Sequence, residues 1–249
     1  MSVPAYKRVI LVTGSNTGIG YEVVKNLAEK GHRVYLAARN EEAGVKAEIT
    51  LVNEGLDVKF IQLDVTSPTS VAAAAEAVQN AEGRLDSLVN NAGVAFLNES
   101  KGPLEEPLDL IQKAMNVNFF GLVSVCKAFV PLLLHAEPGH ACILNVTTLM
   151  ASNSHMASLA GKSALDKWVA YNTSKAAANS YTISLAKELK GKVKVNAAEP
   201  GFVSSKLNGF MRGGKTPAKG AEILVPWALL GLDDKKKTRK CLCVMWHIR

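Results

Sequence analysis

Short, nearly continuous apolar runs rich in Val, Ile and Leu alternate along this chain with longer segments whose apolar residues recur at helical spacing. The first run opens at Val9 and reads Val-Ile-Leu-Val-Thr, the mark of a strand buried on both faces. It leads into a loop containing Gly14, Gly18 and Gly20, and the amphipathic segment 21–30 after it predicts a helix. Further strands are predicted over 33–38, 58–63, 85–89, 141–146 and 193–197. Between them, Asn40 is placed to cap a helix running to Glu54 and stopped by Gly55. Ser67 and Pro68 begin an alanine-rich helix to about Ala81, with the proline suited to a first turn. A long helix is predicted to end near His135, another over 167–189 and a last one over 218–230, while 149–166 reads as a loop with one helical turn. Strands and helices in alternation predict an α/β fold, a doubly wound Rossmann-type parallel sheet of about seven strands with helices on both faces. No repeat or linker divides the chain, so 1–249 is expected to form one domain.

Composition changes this picture little. At 249 residues and 48% hydrophobic, with few aromatics, the chain suits one well-buried core. The formal net charge is +7, and much of the excess lies in Lys235-Lys236-Lys237-Thr238-Arg239-Lys240. A basic run of this kind reads first as a solvated loop, and no aromatic interleaving, zinc spacing or recognition helix accompanies it, so no nucleic-acid partner is expected. Four cysteines, Cys126, Cys142, Cys241 and Cys243, follow no disulfide framework and are expected as thiols in a reducing, cytoplasmic setting. Met1 to Tyr6 has no apolar signal region. The most apolar long segment, 119–134, is interrupted by Lys127 and Pro131 and reads as too short to span a bilayer, so no membrane partner is expected.

The chemistry concentrates where strands end. Strand, glycine loop and helix bring backbone N–H groups and a positive helix end to an anionic group, as in a dinucleotide-binding turn. Arg39, Asp64-Val65, Asn90-Asn91, Thr147-Thr148 and Pro200-Gly201 all follow predicted strands, and in a sheet of this type ligands gather at the carboxyl ends. Arg39 stands where an NAD-binding chain would show a nearby acidic residue, and the position before it is Ala38. An arginine there suits the extra phosphate of NADP(H), with Ser15 and Asn16 as neutral hydrogen-bond donors to the same group. Tyr171 and Lys175 lie four apart, one above the other on a helix face. An ammonium beside a phenol of ordinary pKa about 10 favours the phenolate and suits it to acid–base work.

Together these motifs resemble the short-chain dehydrogenase/reductase family over roughly residues 8–230. They are Thr13-Gly14-x-x-x-Gly18-Ile19-Gly20, Asp64-Val65, Asn90-Asn91-Ala92-Gly93, Asn118-x-x-Gly121, Asn145-Val146-Thr147-Thr148, Tyr171-x-x-x-Lys175 and Pro200-Gly201-x-Val203. Within the family the chain is most similar to NADPH-dependent carbonyl reductases, through Leu36-Ala37-Ala38-Arg39, Gln62-Leu63-Asp64-Val65, Asn116-Val117-Asn118-Phe119-Phe120-Gly121 and Gly220-Ala221-Glu222. The resemblance implies reduction of a ketone, aldehyde or quinone to the alcohol by hydride transfer from NADPH, with no metal. It implies Tyr171 as general acid, Lys175 holding the nicotinamide ribose and tuning Tyr171, and Asn118 organising a proton-relay water. Asp64 and Val65 would contact the adenine, Asn91, Ala92 and Gly93 the ribose side, and Pro200, Gly201 and Val203 the nicotinamide side.

The chain departs from the family's pattern at three places. Thr147-Thr148 replaces the usual Ser-Ser, so Thr148 is expected to take the substrate-facing serine's role, with Ser152 or Ser154 as alternatives. The segment between Thr148 and Tyr171 is of intermediate length and implies a monomer or homodimer. The tail from Thr238 lacks the family's closing motif, although 242–246 can form a last strand. Loops 94–107, 149–166 and 202–219 offer Phe96, Leu149, Met150, Met156, Phe202, Phe210 and Met211, which lean toward an apolar small-molecule substrate. The alternative from another class is an NADP-binding regulatory or scaffold protein with weak or no catalysis.

Overall fold

The structure, a computed structural model, describes residues 6–159 and 164–230. The expected strand at 242–246, the basic run 235–240 and Cys241 and Cys243 lie outside the described residues.

The first half of the chain forms β1 (Val9–Thr13), α1 (Gly18–Glu29), β2 (Arg33–Ala38), α2 (Glu41–Asn53), β3 (Val58–Gln62) and α3 (Pro68–Glu82). Then come β4 (Ser87–Asn90), α4 (Leu108–Met115), α5 (Leu122–Leu133), β5 (Cys142–Val146), α6 (Asn153–Ser158), α7 (Val169–Glu188), β6 (Lys194–Ala198) and α8 (Pro217–Ala228). Local signals set several boundaries as the sequence predicts. Asn40 Oδ1 accepts the Ala43 N–H at 2.7 Å to cap α2, and Ser67 Oγ accepts from Ser70 N with Pro68 in the first turn of α3.

Six described strands pair in parallel in the order β3-β2-β1-β4-β5-β6. The order reverses between β1 and β4, which opens a crevice at their carboxyl ends. Alternate residues of β1 feed two cores, because strand side chains point to opposite faces. Val9 and Leu11 pack with α3, α5 and α7 on one side, around the fully buried Phe129. Ile10 and Val12 pack on the other with α1, α2 and α8, around Val23, Leu27 and Leu224.

Between α4 and α5 the helix widens into a π-helical stretch, Asn116–Gly121. The apolar periodicity predicts one uninterrupted helix here, whereas the widened turn places Asn118 within it, one of the residues expected at the site. Helix runs unbroken over Leu108–Leu133, 26 residues, so length alone does not separate it from a membrane span. One face of its second half, Leu122, Val125, Cys126, Phe129, Leu132 and Leu133, is buried in the core beneath the sheet.

Candidate active site

Each predicted strand-end motif reaches the same edge of the sheet. After β1, Gly14 adopts φ +61°, and a Cβ there would stand 2.7 Å from the Ala92 Cα in the loop after β4. Only glycine lets the two loops meet so closely. At Gly20 a Cβ would collide with the Asn91 side-chain nitrogen and with Gly14 O. Asn91 Nδ2 donates to Thr13 O and Gly14 O at 3.0 and 2.9 Å, and Thr13 Oγ1 accepts the N–H groups of Asn91 and Ala92 at 3.1 and 3.0 Å. Thr13 and Asn91 therefore clamp the glycine turn at the start of α1. Gly18, with φ +62°, has open space where its side chain would be. This is a cradle of the shape a pyrophosphate needs.

Ser15 has a different role from the one its place in the loop suggests. Its side chain is fully buried: Oγ donates to Val12 O at 2.7 Å and accepts from Ala37 N at 3.1 Å, while its own N–H donates to Ala37 O. Both its donors face inward and pin the loop to β2, so Ser15 is corrected from phosphate contact to loop support. Arg39 is exposed at the end of β2, and its guanidinium has no hydrogen-bond or ion-pair partner among the described residues. Asp64, after β3, is held below the usual carboxylate range chiefly by the Thr66 hydroxyl, with help from the Thr66 N–H and the Arg39 charge. Val65 packs against Gly121, where a Cβ would stand 2.8 Å from Val65 Cγ2. That contact explains the glycine in the Asn118-x-x-Gly121 motif.

The residues expected to do acid–base work meet between β4, β5 and α7. Asn118, 1% exposed, accepts from Val94 N at 2.9 Å and donates to Val94 O at 2.8 Å and to Ser174 Oγ at 2.9 Å. Ser174 Oγ in turn donates to Tyr171 O at 2.8 Å. Lys175 Nζ donates to Val146 O at 2.9 Å at the end of β5, and a Cβ on Gly93 would sit 3.4 Å from the same Nζ and 3.2 Å from Asn118 Oδ1. Gly93 is thus the floor on which Asn118 and Lys175 come together. Tyr171 and Lys175 are 7% and 5% exposed, buried on one side of α7. Thr148 follows β5, and its Oγ1 accepts weakly from Met150 N at 3.4 Å. Thr147 donates to Asn179 Oδ1 at 2.7 Å, so its hydroxyl is committed to α7 while that of Thr148 makes only the long bond to Met150 N. Ser152 caps α6 through His155 N, which ties its hydroxyl to that helix.

On the far wall, Ile19, Pro200 and Val203 converge on Gly220. A Cβ there would stand 2.7 Å from Val203 Cγ2, 3.5 Å from Pro200 Cβ and 3.6 Å from Ile19 Cγ1. Gly201 takes φ +78° beneath the Lys215 ammonium. Two groups at this edge escaped the sequence reading. Glu199, the residue before Pro200, has its carboxyl pushed above the usual range by burial, tempered by the Leu149 N–H and by neighbouring His155 and Lys215. Glu106 is buried with its carboxyl turned toward the first turn of α7.

A model of the short chain dehydrogenase family matches residues 8–215. The chain belongs to this family. As a short-chain dehydrogenase it is 32% identical to (+)-neomenthol dehydrogenase of Arabidopsis thaliana over 276 positions, covering 90% of this chain and 92% of that protein. It is also 32% identical to carbonyl reductase [NADPH] 1 of Mus musculus over 262 positions, with coverage of 90% and 92%. Both alignments are longer than this chain, so each relative has segments with no counterpart here. Among solved structures, salutaridine reductase from Papaver somniferum superposes with a TM-score of 0.76 at 28% identity, covering 92% of this chain and 97% of that one. A short-chain dehydrogenase from Shigella flexneri complexed with NADP gives 0.78 at 26% identity, with coverage of 93% and 94%. Short-chain dehydrogenases are oxidoreductases that use nicotinamide cofactors, and the glycine cradle, the Arg39 edge and the Val203 wall fit one.

Proposed function

We propose that this chain is an NADPH-dependent carbonyl reductase with Tyr171 as its general acid. The observation that carries the reading is the convergence of Asn118, Lys175 and the Tyr171 turn of α7 on Gly93, at the carboxyl ends of β4 and β5. In this reading Gly14, Gly18, Ile19 and Gly20 hold the pyrophosphate side of the cofactor, Asn16 stands with Arg39 at the extra phosphate, Asp64 and Val65 take the adenine, and Asn91, Ala92 and Gly93 the ribose side. Pro200, Gly201 and Val203 line the nicotinamide end. The exposed Arg39 guanidinium, without a hydrogen-bond or ion-pair partner among the described residues, and the buried Ala38 in place of an acidic residue before it support NADP(H) over NAD(H).

Bound NADPH supplies the hydride for a carbonyl carbon. As charge develops on the carbonyl oxygen, Tyr171 gives it a proton and the Thr148 hydroxyl donates a hydrogen bond to it. The Lys175 ammonium, anchored on Val146 O, favours the phenolate left on Tyr171 and so lowers the cost of that transfer. Asn118 fixes α7 through Ser174, keeping the acid in register with the strand ends. Solvent-facing Leu104, Phe202 and Phe210 on the loops of this edge, with Leu108 at the start of α4, support an apolar ketone, aldehyde or quinone as substrate. A monomer or homodimer follows from the segment between Thr148 and Tyr171, part of which packs against α7, and a tetramer by sedimentation would refute it. For the chemistry the test is Tyr171→Phe: turnover should fall by roughly 100-fold or more with cofactor binding unchanged. A variant that reduces substrate at the wild-type rate would overturn the assignment.

A further inference from the structure

The helix that carries Tyr171 begins without a cap of its own. Trp168 occupies the capping position of α7 and makes no side-chain cap bond, since an indole offers a donor and no acceptor. The first N–H groups of a helix lack intrahelical partners, and buried ones need an acceptor from elsewhere. Here it comes from Glu106, 64 residues earlier in the chain. Its Oε1 accepts from Ala170 N at 3.2 Å, one residue before Tyr171, and from Ser100 Oγ at 3.0 Å; its Oε2 accepts from Lys101 N at 2.9 Å. The carboxyl group is buried, and its charge sits at the positive end of α7, where the helix dipole favours it.

The same carboxyl group gathers the loop that follows β4. Phe96 holds φ +51°, a conformation that a bulky side chain rarely adopts, and its carbonyl accepts the N–H groups of Glu99 and Ser100. Its side chain packs against the cluster of Leu110, Ala114 and Ala170, which joins the loop, α4 and the first turn of α7 in one apolar group. A strained turn persists only where its surroundings over-determine it, and Glu106 supplies two of those constraints, through Ser100 Oγ and Lys101 N.

We infer that Glu106 is a positioning residue: it caps the helix of Tyr171 from outside and locks the substrate-side loop 96–106 to that helix. The kinetic consequence rests on the reading of Tyr171 as general acid, whereas the cap itself does not. Placement errors of about 1 Å at an acid–base group cost on the order of 100-fold in rate. The test compares wild type with Glu106→Ala, which removes both acceptor oxygens and with them all three bonds. Hydrogen exchange should accelerate together in 96–106 and in the first turn of α7, and remain unchanged in α1 and the strands. Per NADPH-binding site, kcat should fall roughly 10-fold to 100-fold while the NADPH dissociation constant moves less than about twofold. A loss that only lowered the folded fraction would leave kcat per binding site unchanged. Wild-type exchange in the first turn of α7 would overturn the cap, and an unchanged kcat per site would overturn the positioning role. If the wild type binds NADPH but reduces nothing, the carbonyl-reductase reading fails, and the exchange experiment still decides the cap. Should Glu106→Ala fail to fold, Ser100→Ala removes one of the two bonds between the loop and that carboxyl group and leaves the cap on Ala170 N; it should accelerate exchange around Ser100, and wild-type exchange there would overturn the lock.

Discussion

Replacing Asn118 by alanine should cost this protein both stability and turnover. The side chain is 1% exposed and makes three hydrogen bonds of 2.8–2.9 Å, two to the Val94 backbone and one to Ser174. Ser174 keeps its bond to Tyr171 O, so the groups left orphaned are the Val94 N–H and C=O, both partly shielded from water. At about 1–1.5 kcal/mol for each lost bond, the polar loss comes to roughly 3 kcal/mol. The small void left in the π-helical turn adds about 1 kcal/mol. For a chain of this size each kcal/mol lowers Tm by about 2–4 °C, so thermal unfolding followed by circular dichroism should move down by about 8–16 °C. Turnover at a temperature where the variant is folded should fall more than tenfold, because Asn118 holds the turn of α7 on which Tyr171 stands. A shift under about 2 °C with undiminished turnover would refute this account of the π-helical turn.

Arg39→Asp should weaken NADPH binding by roughly tenfold or more and turn preference toward NADH, as read by fluorescence titration; unaltered preference would defeat the phosphate assignment. Gly20→Ala forces a methyl group into Asn91 Nδ2 and the Gly14 carbonyl, so cofactor binding should be lost even where the circular dichroism spectrum is retained. The pH dependence of stability follows from His32 and His140, both held below the ordinary histidine value by burial first and then by the Arg8 charge. The unfolded chain therefore takes up protons first as pH falls through about 6.5, and the folded state loses stability until its own lower values are passed. Tm at pH 5.5 should lie below Tm at pH 7.5, less so in His140→Gln; a flat or rising Tm would contradict the sign.

The sheet was legible because its strands are buried on both faces and read as apolar runs, and the caps at Asn40 and Ser67 are local signals. Boundaries moved where tertiary bonds overrode local preference. β4 starts at Ser87 and not at Leu85, because Leu85 N bonds to Leu132 O in the helix above. α1 begins at Gly18, three residues early, since Thr13 and Asn91 clamp the turn tightly enough for glycines to enter the helix. The π-helical stretch keeps the apolar pattern of an ordinary helix, so periodicity could not reveal it. In the site, the spacing of Tyr171 and Lys175 and the strand-end pairs announced themselves. Ser15 did not, because a serine in a glycine loop reads the same whether it faces ligand or β2. Glu106 was invisible for the plainest reason: its partner at Ala170 is 64 residues away, and no local pattern marks a cap supplied from that distance.

The central claim is that this constellation reduces a carbonyl with NADPH through Tyr171. It is tested most directly by loss of NADPH absorbance against a panel of ketones, aldehydes and quinones, with NADH and Tyr171→Phe alongside. The account predicts oxidation of NADPH faster than NADH, on apolar members of the panel first, and abolished in the variant. Tight NADPH binding with no turnover on any carbonyl would contradict it and leave a protein that keeps the cofactor site without the chemistry.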